Sequence, residues 1–491
     1  MRAVTPTRLG VAGVLLAVVA FQLWISPHNP PGFHHDEAAF ALNAYTIAHH
    51  LRDQNGALLP IVIPSYGDYK TATFSYVLAP AIRILGPKDS TARLVAALFG
   101  LAAIAALGVL GYRRAGPRVG FAIVVLAGLT PWLFQLGRVA YDTSMFPFAT
   151  ALVLVAVDFW SRSCRAIWLR SLALGSALGF LTYAYGAGRL FAPLLATALL
   201  VFVRRVPWRS IAGAWLVYGV FLLPLAVYRL RHPAGLSARY HATTFVEPGM
   251  SLPGIVGHAV VNALDDLDLW HWLVSGDRKP YVDVWGAPQL LAVGVLLAVA
   301  GVAEIARRRR GDRFWLYVLL ATALASVPAS LTVDRHDALR LSALPVCLLA
   351  LAIPGVEWVL RLGRASLILG VLAVAAVAEW AFFVSVYSDR GSVDRATVFE
   401  TDVPALVARG LADGRTIYVD HDDPYALTMG QWYAVSHGLP QSRVVRLGDG
   451  AIPAAGSMVL GRTQACDYVC VQLAEADSFW LARAAGPKPT G

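Results

Sequence analysis

Residues 287–340 read APQLLAVGVLLAVAGVAEIARRRRGDRFWLYVLLATALASVPASLTVDRHDALR. Two apolar runs, one opening near Ala287 and one near Phe314, enclose the block Arg307 to Arg310 with Arg313. A helix of about 20 mostly apolar residues crosses the hydrocarbon core of a bilayer. A dense arginine block between two such runs marks the side on which short loops are positive, the cytoplasm. The stretch therefore predicts a helical hairpin through a membrane, turned by arginines on the inside and opening outward on Asp334 to Arg340.

The same grammar extends both ways. Further candidate spans open near Leu9, Ala92, Val119, Asp142, Ile167, Arg189, Ile211, Leu341 and Ala365, about eleven in all. Basic blocks recur at Arg113-Arg114 with Arg118, Arg162 with Arg165, Arg204-Arg205 with Arg209, and Arg361 with Arg364, on every second connection. Met1, Arg2 and Arg8 precede the apolar run Leu9 to Ile25, and no small-residue cleavage site follows it, so it reads as an uncleaved first span with a cytoplasmic N-terminus. Composition agrees: 57% of the 491 residues are hydrophobic and only 15% charged, where soluble domains carry about a quarter charged. The net charge of +10 sits in the short arginine blocks. It is a topology signal, and it makes no case for nucleic-acid binding.

All the long connections then face outward. They are residues 26–83, rich in His, Asp, Tyr and Pro; residues 231–285; and the tail from Asp389, with the shorter 332–340 loop on the same side. Loops of this kind carry function more often than spans do. The tail mixes a strand-like run, Thr416 to Val419, with helical patterns and the turn Gly448-Asp449-Gly450, which predicts a small α/β domain. The expected fold is mainly α: a polytopic transmembrane bundle over 1–388, with interfacial helices in the first external loop, and an extracytoplasmic α/β domain over 389–491. Cys466 and Cys470 lie close together in that tail and are expected to pair in an oxidising compartment. Cys164 and Cys347 fall at or inside apolar runs and read as inert thiols.

Four outward segments could carry chemistry. The first is Phe33-His34-His35-Asp36-Glu37. Its plainer reading is the acidic first turn of an amphipathic helix, where a carboxylate contributes roughly 0.3–1 kcal/mol. Two histidines before two carboxylates also invite a metal, but neighbours in sequence rarely ligate one ion together, so no metal is expected, although a divalent ion is possible. The second is Tyr66-Gly67-Asp68-Tyr69-Lys70-Thr71, whose lysine either snorkels at the membrane surface or faces a phosphate. The third, Gly137-Arg138 to Asp142, offers one cation and one acid, a surface ion pair on the bland reading. The fourth, Asp334 to Arg340, reads as positive on the side where positive charge is disfavoured, as an anionic partner would explain. No phosphate-binding glycine loop occurs, which tells against a soluble nucleotide substrate.

Asp36-Glu37, Lys70, Arg93-Leu94 and Arg138 with Asp142, in that order, resemble the GT-C glycosyltransferases, in particular the branch of protein O-mannosyltransferases and bacterial aminoarabinose transferases. His336 to Arg340 followed by Ala343-Leu344-Pro345, and Gly276-Asp277-Arg278, resemble later loops of bacterial members. The likeness covers residues 1 to about 390; His34-His35 and Thr71-Ala72 depart from it. It implies an inverting transfer from a polyprenyl-phosphate sugar to an acceptor hydroxyl of a protein, lipid or envelope glycan, at the outer face of the cytoplasmic membrane and with no required cofactor. It assigns Asp36 as the catalytic acid of the first loop, with Glu37 beside it, and Asp142 as a second acid. Lys70 would face the donor phosphate, and Tyr69, Arg138, His336 and Arg340 would contact phosphate or sugar. The alternative is a transporter of an anionic or lipid-linked substrate. It would use ionisable groups within spans, of which Glu379 is the clearest; the plainer reading of that residue is a hydrogen bond to a neighbouring helix.

Overall fold

The computed structural model describes residues 6–24, 29–162, 166–233, 235–396, 398–412, 414–419, 423–448, 453–462, 469–476 and 479–486. The helices begin with α1 (Pro6–Leu23), α2 (His35–His50), α3 (Thr73–Leu85), α4 (Asp89–Ala115), α5 (Pro117–Leu129), α6 (Pro131–Leu136) and α7 (Phe146–Ser161). Next come α8 (Ile167–Ala184), α9 (Gly188–Ala198), α10 (Trp208–Arg231), α11 (Ala238–Thr243), α12 (Leu252–Asp265) and α13 (Ala292–Arg308). The series ends with α14 (Arg313–Ala325), α15 (Val327–Ser330), α16 (Leu344–Leu360), α17 (Ala365–Asp389), α18 (Gly391–Asp394), α19 (Val403–Ala412) and α20 (Pro424–Ser436). Strands are β1 (Val62–Ser65), β2 (Asp68–Thr71), β3 (Ile417–Val419), β4 (Val444–Arg446), β5 (Met458–Gly461), β6 (Val469–Ala476) and β7 (Phe479–Gly486).

A helix stands at each place where the sequence predicts a span. Among the described residues, six helical stretches are long and apolar enough to cross a membrane: Asp89–Ala115, Asp142–Ser161, Ile167–Ala184, Trp208–Arg231, Arg313–Ser330 and Ala365–Asp389. Others are shorter, and proline marks several of them: Pro117 opens α5, while Pro193 and Pro354 lie inside α9 and α16.

The chain divides into two compact units: residues 1–25, 68–73 and 96–387 form the first, and 26–67, 74–95 and 388–491 the second. In the first, α13 and α16 approach backbone to backbone. A side chain on Gly301 would strike the Leu351 carbonyl, and one on Gly355 the Leu297 carbonyl, so only glycine permits the crossing. The arginine blocks gather at one end of this unit. Asp158, fully buried, receives Arg113 at 2.7 Å, Arg114 at 2.5 Å and Arg162 at 2.8 Å. Arg114 also reaches Asp312 at 3.0 Å. Arg361 joins Glu304 at 2.7 Å and Glu357 at 2.6 Å, and Arg309 also pairs with Glu357. The blocks following α4, α7, α13 and α16 thus share one face of the bundle, as the alternation along the sequence predicts.

The Glu379 carboxyl in α17 stands beside the backbone N–H groups of Ala292 and Val293. These open α13, whose N-cap residue Leu291 has no side chain able to cap it. The clearest mid-span acid therefore lies at the N-terminus of a neighbouring helix, where a carboxylate is favoured.

The second unit holds a five-stranded sheet in the order β4-β3-β5-β7-β6. β3 runs parallel to β4 and β5, while β7 runs antiparallel to β5 and β6. The tail thus carries a small sheet together with helices α19 and α20. α20 starts because the Asp423 side chain accepts from the Tyr425 and Ala426 N–H groups and Pro424 presets the first turn. Trp432 of α20 stacks on Phe33 at 5.7 Å and donates to Asp89 Oδ1 at 2.8 Å, which ties the tail to α2 and the start of α4. Cys470 is disulfide-bonded and Cys347 is a buried free thiol. Cys466, Cys164, and Asp449-Gly450 of the expected turn lie outside the described residues.

Candidate active site

In the second unit the first-loop acids stand at the start of α2, as their sequence pattern predicts. His34 is the N-cap: its Nδ1 accepts the Asp36 N–H at 3.1 Å, and Glu37 Oε2 accepts the His34 N–H at 3.0 Å, a reciprocal capping box. Glu37 is also fully buried and bound two-pronged by Arg93, Nε to Oε1 at 3.0 Å and Nη2 to Oε2 at 2.8 Å. Arg93 further donates to the carbonyls of Pro30, at 3.2 Å, and Gly32. Glu37 thus does far more than dress a helix end, because separating a buried charge from its partner is strongly unfavourable. Asp36 is only half-buried. Its charge acts on Tyr66, whose hydroxyl is pushed well above its ordinary pKa by burial first, then by Asp36 and Glu400.

The tail supplies neighbours that local sequence could not suggest. Glu400, buried and with a left-handed backbone (φ 48°), binds His35 Nδ1 at 3.1 Å. Tyr66 donates to the His35 carbonyl at 3.0 Å and stacks on Tyr425 at 4.4 Å, with Arg462 over the Tyr425 ring. Ligand atoms of His34, His35 and Asp36 all lie within 4.8 Å of one another. Two imidazole nitrogens and a carboxylate suit a borderline divalent ion, so this trio is the one set identified among the described residues that could hold a metal.

In the first unit, Lys70 and Tyr69 lie on β2, and both are half-buried. The Tyr69 carbonyl accepts from Arg189 Nη2 at 3.1 Å. Asp142, 7% exposed, opens the short 3-10 turn that leads into α7. Its charge and those of Asp337 and Arg340 all bear on Tyr185, whose hydroxyl is raised by burial first and then by Asp337. Tyr185, in the turn between α8 and α9, and Arg189, in the first turn of α9, escaped the sequence reading as site residues. Their signal was the run Tyr183-Ala184-Tyr185-Gly186, which ends one apolar stretch just before another.

Arg138 is buried, and two of its donors close the end of α1 on the carbonyls of Trp24, at 2.7 Å, and Gln22. The 334–340 loop needs a correction. Its two arginines are matched by two aspartates, so it carries no excess charge with His336 neutral. Arg340 lies 3.1 Å from Asp334 and 3.0 Å from Asp337, and Lys279 reaches the same two at 3.2 and 2.8 Å. Burial opposes the Asp337 charge, yet Arg340 and Lys279 hold its carboxyl below the ordinary range. An anionic partner is not required to explain this loop. His336 points away from Arg340: its ring stacks on His271 at 4.1 Å and its Nε2 lies 2.9 Å from the Asp265 carbonyl.

No protein-family model matches the chain, and no curated protein matches it. Solved structures do. ArnT from Cupriavidus metallidurans bound to undecaprenyl phosphate superposes with a TM-score of 0.60 at 15% identity, covering 99% of this chain and 100% of that one. The apo form of the same protein gives 0.62 at 14% identity, covering 98% and 99%. The Archaeoglobus fulgidus oligosaccharyltransferase in complex with Zn and sulfate gives 0.50 at 12%, covering 91% of this chain and 68% of that one. Both neighbours are GT-C proteins. The chain has the GT-C fold. At such low identity the superposition speaks for architecture, and each residue's role is argued on its own chemistry.

Proposed function

We propose that this protein is an inverting glycosyltransferase that moves a sugar from a polyprenyl-phosphate donor to an acceptor hydroxyl at the outer face of the cytoplasmic membrane. The observation that carries the reading is the end-to-end likeness in fold to ArnT, a structure that contains undecaprenyl phosphate. Asp36 is the proposed base. It is half-buried, one residue from a partner that structural duties hold, and next to a phenol that keeps its proton. The acceptor oxygen attacks the anomeric carbon while Asp36 takes its proton; the bond from that carbon to the phosphate oxygen breaks, and the lipid phosphate leaves with the electron pair. Base assistance of this kind contributes roughly 10²- to 10⁴-fold. Lys70 is assigned to the phosphate, where a fixed cation stabilises charge as it develops. Asp142, Tyr69 and Arg340 are assigned to the sugar and phosphate side, the last held in place by Asp334 and Asp337. A donor with a long apolar tail accounts for a catalyst built as a membrane bundle. The test is turnover of undecaprenyl phosphate carrying a radiolabelled sugar by purified protein. Consumption of donor supports the reading; a protein that neither binds nor consumes any such donor contradicts it.

A further inference from the structure

Helix α12 carries three faces. Ile255, Ala259, Asn262 and Asp266 follow one another at helical spacing and turn inward, the last two buried. Val256, Val260 and Leu264 form an outer face, 52%, 53% and 64% exposed. His258 and Asp265, seven residues apart, make a narrow polar edge between them. The helix has 14 residues, too few to span a bilayer.

The inner face fixes its depth. Asn262 Nδ2 donates to the Ser330 carbonyl at 2.8 Å, and Asp266 Oδ1 accepts the His336 N–H at 2.8 Å. Ser330 ends the stretch Arg313–Ser330, which starts in the arginine cluster. Eighteen helical residues rise about 27 Å, so Ser330 and α12 lie at the opposite boundary of the hydrocarbon core. Leu223 and Leu230, towards the end of α10 away from the Arg204-Arg205 block, are exposed as well. Beyond α12, Trp270 and Trp285 are exposed, the latter under the Arg278 guanidinium at 4.7 Å. Tryptophan and a cation at the edge of an apolar band are the residues that the headgroup region favours.

We propose that α12 lies in the surface of the leaflet opposite the arginine-rich end, with Val256, Val260 and Leu264 inserted among the acyl chains, and that this seat steadies the 332–340 loop through Asp266 and Asn262. The lipid surface itself is the partner. The loop so held is the one that carries Arg340 and Asp337, and it is tied a second time by the Thr244 hydroxyl donating to Leu331 O at 2.9 Å.

The test places a nitroxide at V260C or H258C in the full chain, reconstituted in phosphatidylcholine–phosphatidylglycerol vesicles, with labelled wild-type protein as background. Collisions with oxygen, which concentrates in hydrocarbon, are compared with collisions with a water-soluble nickel chelate. Oxygen should dominate at V260C and nickel at H258C. Equal nickel access at both sites would overturn the proposal, as would a V260C label shielded from both reagents, which would mean a second protein surface. In V260N/L264N, the amides of Val333 to Arg340 should exchange at least about fivefold faster, as when a hydrogen bond is weakened. Unchanged exchange would sever the link to the loop. The depth measurement on single-site labels stands even where that double variant fails to fold. Neither readout needs a substrate, so both hold whatever sugar is transferred.

Discussion

At the scale of single residues, two adjacent acids illustrate how a helix start can divide labour. Glu37 belongs to the backbone and to Arg93, while Asp36 beside it is only half-buried. On the proposed reading, Asp36→Asn lowers turnover by roughly 10²- to 10⁴-fold and leaves donor affinity nearly unchanged, because the amide keeps the shape but takes no proton. Glu37→Gln fails differently. It leaves the Arg93 charge buried without its counterpart, so it should cost about 3–5 kcal/mol, read as a lowered unfolding midpoint in detergent, well above the value of a helix-end charge. A variant of normal stability at Glu37 would refute the buried pair. The sequence shows both acids opening a helix, because capping is local. It does not show Arg93 as the partner, 56 residues on, nor Glu400 beside His35, 365 residues away, since pairing across the fold leaves no periodic trace.

At the scale of elements, the segment between α12 and α13 holds two buried groups that titrate in opposite senses. Burial first, and then His336, pushes the His271 ring down to about 4. Its neutral form belongs to the fold, so its stabilising share is present above its unfolded value and is lost as pH falls through about 4. Asp277, raised to about 7 by burial and then by Asp283 and Asp337, contributes the reverse. The share it adds below its unfolded value is lost as pH rises through about 7. His271→Gln should therefore flatten the acid limb of a stability–pH profile, and Asp277→Asn the limb just below neutrality, at a general cost because an acceptor for the Lys279 or Ala338 N–H is lost. Unaltered limbs in both variants would contradict these environments. Glu379→Gln should keep its cap on α13 and stay near wild type, while Glu379→Leu should lose about 1–2 kcal/mol; equal losses would argue against capping. Helix positions were readable from apolar runs and arginine blocks. The inward use of Glu379 and the neutralised 334–340 loop were not, because charge counted along a chain says nothing of what it meets.

At the scale of the whole molecule, alternating basic blocks correspond to physical clustering, with Arg113, Arg114, Arg162, Arg309 and Arg361 drawn onto Asp158, Asp312, Glu304 and Glu357. Reporter fusions after Arg118 and Arg310 should read cytoplasmic and one after Asp277 external; an external signal at Arg310 would reverse the topology. The sequence also suggested strands and helices in the tail, and a small sheet is present there. That the tail packs with residues 26–67 in one compact unit was not legible, because the contacts join segments more than 300 residues apart. The account stands or falls on catalysis. Purified wild-type protein and Asp36→Asn are each given undecaprenyl phosphates carrying radiolabelled mannose or aminoarabinose, with envelope membranes of a deletion strain as acceptor. The account predicts label passing from lipid to acceptor with the wild type, and donor bound but unturned by Asp36→Asn; equal transfer by both proteins, or none by the wild type with any donor, would contradict it.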